Sequence, residues 1–204
     1  MGVRLDYARE MLTDARQHFA ENVRALSLEE ALFAAGGYRS IIGVIKHMGG
    51  WVHVYLSYAF DQAPKHWNEL FWPRDLRDQI ELSPDYLSEV VAWVNHGLQA
   101  WDDALARADD DDLDRPHPLH WGATAPLGNI VVMVAHEVMY HTGELNMLLS
   151  IARGEAWEYT EEVEENYLST YGHGVRGDWM NDEQAQRHEE ALRIAHDARQ
   201  TTRE

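Results

Sequence analysis

Apolar side chains recur at helical spacing through most of this chain and almost nowhere alternate as a half-buried strand requires. Leu5, Met11, Leu12, Phe19, Val23 and Leu26 fall at helical intervals with charges between them. "IIGVIKHMGGWVHVYLSYAF" follows Ser40, a ready N-cap, and ends near Asp61. "SPDYLSEVVAWVNHGLQAWDDALARA" opens with Ser83 as cap, Pro84 at the first helical position and Asp85 in the first turn, and runs to about Ala108. A last stretch, Leu127 to Ala152, stops at Gly154, a residue suited to the C-cap. "SLEE" at Ser27–Glu30 has the form of a capping box and predicts a short extra helix, broken by "AAGG". Residues 61–82, with Pro64 and Pro73, read as a connection with at most one short helix, and "RPHPLHWGATAPLGN" as a proline and glycine connection. Long amphipathic helices joined this way predict an all-α four-helix bundle. Beyond it, "EYTEEVEENYLSTYGHGVRGDWMNDEQ" reads as irregular, followed by a final polar helix from Asp182 to Arg199.

Composition narrows what such a bundle does. With 204 residues and 45% hydrophobic content, one well-buried core is the expectation. The 35 acids against 17 Lys plus Arg give a formal charge of −18, which repels nucleic-acid phosphates and anionic lipid. Neither nucleic acid nor membrane is expected as a partner. The charged N-terminal stretch and the lack of any long apolar run predict a soluble, cytoplasmic protein. Cysteine is absent, so any thiol chemistry needs an external thiol. The acidic run Asp109–Asp112 reads as a solvated loop.

Two polar residues interrupt the apolar face of the last long helix. Each helical residue turns about 100°, so Glu137 and His141 lie about 40° apart, while His136 and His141 diverge by about 140°. Glu137 and His141 share the stripe Ile130, Val134, Val138, Leu145 and Leu148. His136 goes with Val132, Met133 and Tyr140. A carboxylate on an apolar stripe needs a cation or a proton. Arg39, Lys46 or a protonated histidine would meet that need as an ion pair, and a metal would meet it if a third ligand came from another helix. His47 offers one, on the stripe Val44, His47, Trp51, Val54, Tyr55 and Tyr58, beside Gly43, Gly49 and Gly50. His53 lies about 240° from it and belongs elsewhere. Two imidazoles and a carboxylate suit zinc, and also nickel, iron or manganese. Spacing alone leaves a metal site and a satisfied core network both open.

At these residues the chain resembles the DinB-like superfamily, and within it the branch of mycothiol-dependent maleylpyruvate isomerases. "SIIGVIKHMGGWVHVYL" is similar to that family's Ser-Ile/Leu-Gly-x-x-x-His-Leu stretch, and "HEVMYHTGELNMLL" to its Glu-x-x-x-His-x-Gly signature, with Gly143 in place. The resemblance covers most of residues 1–155 and implies a four-helix bundle there, with 156–204 as an extension packed on the same domain. It implies one divalent metal, zinc first and nickel second, on His47, Glu137 and His141. Many members carry His in place of the acid, which makes His136 the alternative ligand. It also implies an enzyme that uses a low-molecular-weight thiol of the mycothiol type in S-transfer or isomerisation of a small-molecule electrophile. A hydrolase without thiol and a non-catalytic metal-binding or stress-response module are the alternatives.

Trp51, Tyr55, Trp93, Trp121 and Tyr140 either line a substrate pocket or belong to the core. His117 and His120 read as loop histidines. "YGHGVRGDW" reads first as an ordered surface loop; the alternative is that His173, Arg176 and Trp179 cover the bundle mouth and offer a cation to an anionic substrate. A homodimer through one apolar helix face is expected.

Overall fold

The computed structural model describes residues 2–71 and 84–154. Six α-helices lie among them: α1 Val3–Val23, α2 Leu28–Leu32, α3 Ile41–Phe60, α4 Trp67–Leu70, α5 Pro84–Leu105 and α6 Leu127–Arg153. The mostly helical architecture agrees with the all-α expectation. Ser83, the extension over 156–204 and its packing, the helix from Asp182, and His173 and Arg176 lie outside the described residues.

Helix ends follow the local chemistry. Ser40 Oγ accepts from the Gly43 amide at 3.3 Å and starts α3. Ser27 and Glu30 close the capping box of α2, with the Glu30 carboxylate accepting from the Ser27 amide at 2.7 Å. Gly154 ends α6 in the left-handed region at φ 65°, where a Cβ would be strained.

Four helices are long, α1, α3, α5 and α6, and they pack in a ring: α1 meets α6 and α5, and α3 meets those same two from the other side. Between them lies one core, containing Leu5, Phe19, Ile45, Met48, Val94, Trp101, Ile130, Val134, Val138 and Leu145. Trp101 is fully buried and its indole N–H donates to the Val52 carbonyl at 3.1 Å, so a large ring enters the core without an orphaned donor. Gly49 and Gly50 are where close approach is needed. A Cβ on Gly49 would lie 2.5 Å from the Trp93 ring, and one on Gly50 would lie 2.4 Å from the Phe71 ring.

Two sequence expectations change here. The connection before α6 contains a small antiparallel hairpin, β1 Pro116–Pro118 with β2 Thr124–Pro126, whose tip holds His120 and Trp121. Strands of three residues with prolines at their ends carry no alternation signal. The acidic run is also more than a solvated loop, because Asp110 Oδ1 accepts from the Leu5 amide at 2.9 Å and caps α1 from across the molecule.

Candidate metal centre

Helix α3 brings His47 and α6 brings Glu137 and His141 to one point. One donor atom from each lies within 4.8 Å of the others. His141 Nε2 is 3.0 Å from Glu137 Oε1, and His47 Nε2 is 3.8 Å from that same oxygen. The imidazoles meet edge to face, centroids 5.0 Å apart. For bonds of about 2.0–2.1 Å, a tetrahedral ion wants its donors about 3.3 Å apart, a value these separations straddle. The group can therefore hold a divalent metal with little side-chain movement.

Burial is graded across the cluster. The His141 side chain is 6% exposed, while Glu137 and His47 are 25% and 26% exposed, so one side of the group is open to solvent. Glu137 is met by imidazoles rather than by Arg39 or Lys46; the Lys46 ammonium donates to the Tyr86 hydroxyl at 3.1 Å. His136 is exposed on α6, on a different side from His141.

A residue that spacing arguments passed over completes the arrangement. Glu144 Oε2 lies 2.7 Å from His141 Nδ1 and accepts its proton. This carboxylate behind a candidate metal-binding imidazole fixes the ring's orientation and raises its basicity. The signal was present: Glu144 follows His141 by three positions and Glu137 by seven, on the same side of the helix.

Electrostatics separates the two imidazoles. Burial by itself lowers the His141 pKa, but its hydrogen bonds to Glu137 and Glu144 outweigh that and raise it above the ordinary 6.5. Without a metal, the two neighbouring carboxyl groups thus favour the protonated form of His141. His47 goes the other way, lowered by burial first and by the charge of Arg39 second, and stays neutral. Tyr55 is raised by burial and by the nearby Glu137 charge, so its phenol keeps its proton.

Aromatic rings flank the opening on the α3 side. The Trp51 indole N–H donates to His47 Nε2 at 3.3 Å. Its ring meets Phe71 at 5.3 Å, Tyr55 at 5.9 Å and His120 at 4.6 Å between centroids. Trp51 and Tyr55 therefore stand beside the cluster, whereas Tyr140, 72% exposed, touches His141 from the solvent side with centroids 5.1 Å apart. Trp93 is elsewhere, stacked on His53 at 4.7 Å, and Trp121 is exposed at the hairpin tip. His120, a loop histidine by its surroundings in the sequence, is laid on Trp51 by the hairpin, and its buried Nδ1 has no hydrogen-bond partner among the described residues. Burial lowers its pKa, so it is neutral.

Fold and cluster together define a helical protein with a His/Glu group able to take a divalent metal at the meeting of α3 and α6. The chain belongs to the DinB superfamily, whose family model matches residues 11–145. Two solved structures share the fold at 16% identity and a TM-score of 0.56 each. One is a conserved protein from Enterococcus faecalis, matched over 76% of this chain and 99% of that one. The other is a candidate member of the DinB family from Exiguobacterium sibiricum, matched over 78% and 97%. Among curated proteins no match was found. No helix among the described residues is long and apolar enough to cross a membrane.

Proposed function

We propose that this protein is a metal-dependent enzyme that activates a low-molecular-weight thiol of the mycothiol type, in S-transfer or isomerisation of a small electrophile. The observation that carries this reading is a group of three donors, two imidazoles and one carboxylate, with its Glu137 and His47 side open to solvent. Three protein ligands on a tetrahedral ion leave a position for an exogenous ligand, the pattern of catalytic rather than structural zinc. Zinc is the first choice and nickel the second, since imidazole suits both. The metal would supply acidity, making a thiolate at neutral pH. The residues do the rest: Glu144 fixes His141, and Trp51 and Tyr55 give an unsaturated substrate a flat apolar wall. The absence of cysteine fits an external thiol in a cytoplasmic setting.

Cobalt substitution tests the reading. Elemental analysis is expected to find about one divalent ion per chain, lost in His47→Ala and His141→Ala. Adding mycothiol, bacillithiol or glutathione to the cobalt protein is expected to produce a sulfur-to-metal charge-transfer band in the near ultraviolet. Hydrolysis of simple esters or amides with no thiol band would replace the transferase with a hydrolase. A cobalt spectrum that no added ligand perturbs, with no turnover, would leave a non-catalytic binding module.

A further inference from the structure

The hydrogen bond between Trp51 and His47 sets a chemical condition on the site. An indole N–H only donates, so at 3.3 Å His47 Nε2 must be the acceptor and the ring proton must sit on Nδ1. That is the tautomer whose Nε2, 3.8 Å from Glu137, carries the lone pair that a metal would take. Trp51 therefore holds His47 ready for a metal while using the lone pair the metal requires. Both cannot have it.

Resting on the reading of this site as a metal centre, we propose that Trp51 is a positioning donor whose partner changes with metal occupancy. Its N–H caps His47 in the metal-free chain. It is released when Nε2 ligates, and then donates to the small anion, thiolate or carboxylate, held at the open side of the cluster. The released indole has little freedom to follow the imidazole or to leave. Phe71 meets its ring at 5.3 Å and His120 at 4.6 Å, with Tyr55 one helical turn along α3. Phe71 itself is seated over Gly50, where only a residue without Cβ leaves it room. A half-buried N–H so held is costly to leave unpaired, and the nearest new acceptor is an atom bound beside His47. The ligand class that fits is a small anion carrying an unsaturated or apolar body: the charged atom meets the N–H and the body lies along the ring wall.

The experiment uses the full chain, zinc and azide. In the proton NMR spectrum of the metal-free protein, the Trp51 indole N–H is assigned by its absence in Trp51→Phe. One equivalent of zinc is expected to move that resonance, and azide to move it again. On the cobalt-loaded protein, Trp51→Phe is expected to keep its metal content and bind azide about tenfold more weakly, the loss of one charge-assisted hydrogen bond. A resonance that bound zinc leaves in place, or equal azide affinity in the two proteins, overturns the role of Trp51 and leaves the metal centre standing. If Trp51→Phe fails to fold, the resonance is assigned instead by its through-space contacts to the Phe71 and His120 rings, and the zinc and azide shifts in the unsubstituted protein decide alone. Failure of the unsubstituted protein to retain zinc removes the metal reading itself, and this proposal with it.

Discussion

At the scale of single residues, the Glu137–His141–Glu144 chain decides how the site responds to protons and to mutation. Glu144 does not belong to the ligand group, yet Glu144→Gln replaces the charged acceptor that makes the His141 ring basic with a neutral amide, and is expected to weaken zinc about 10–100-fold. A chelator competition assay measures this directly. The pH dependence has a definite sign. The His141 pKa is raised in the folded, metal-free chain above its ordinary 6.5, so its contribution to stability is fully present below that value and is lost as pH rises through the folded pKa. Metal uptake must expel that proton, so affinity is expected to rise over the same interval and binding at pH 7 to release protons into a weakly buffered solution. Thermal denaturation in chelator, with His141→Gln as reference, follows the first effect, and calorimetry in two buffers the second. That Glu137, and not His136, stands beside His141 was legible because helical angles are fixed by local geometry. Glu144 needs a second step, because helical spacing sets Glu137 against one nitrogen of His141 and the partner of the other nitrogen follows only from the ring's orientation.

Elements show the same division between local and long-range causes. Ser40, the Ser27–Glu30 box and Gly154 set helix ends through contacts within a few residues, and all were readable in advance. The hairpin over residues 116–126 was not, since its three-residue strands have no periodicity and its position depends on α3 and α6. His120 consequently looked like a loop histidine until the hairpin laid it on Trp51. The glycines of α3 asked for a reason in the sequence, and the packing gives one. Gly49→Ala gains about 1 kcal/mol of intrinsic helix propensity. The added Cβ, however, would fall 2.5 Å from the Trp93 ring and 2.6 Å from Val94, inside a fully packed contact with α5. Overpacking of this kind costs about 1–3 kcal/mol. The substitution is therefore expected to destabilise on balance, as a lowered midpoint in urea denaturation with an unchanged slope.

For the whole molecule, the outer face of α6 bears on assembly. Val132, Met139, Tyr140, Met147 and Ile151 are large apolar side chains exposed along one helix of a chain carrying −18. Self-association through this face would cover them, and we expect a homodimer whose dissociation is opposed by salt, because screening weakens the repulsion between two acidic copies. Light scattering at micromolar concentration that returns a mass near 23.5 kDa, the single chain, at both low and high salt would rule it out.

The cap that Asp110 places on α1 has a further consequence, in the order in which the molecule can be made. The acceptor for the Leu5 amide lies 105 residues downstream. The helices that α1 packs against, α5 and α6, also come after the whole of α3. During synthesis from the N-terminus, at about 5–20 residues per second, α1 leaves the ribosome several seconds before its cap or its packing partners exist. Most of a helix's stability in a protein comes from packing its amphipathic face rather than from intrinsic propensity. A helix made before all its partners is thus among the last to be secured, and its apolar side, Leu5, Leu12 and Phe19, stays available to chaperones until α6 closes the ring.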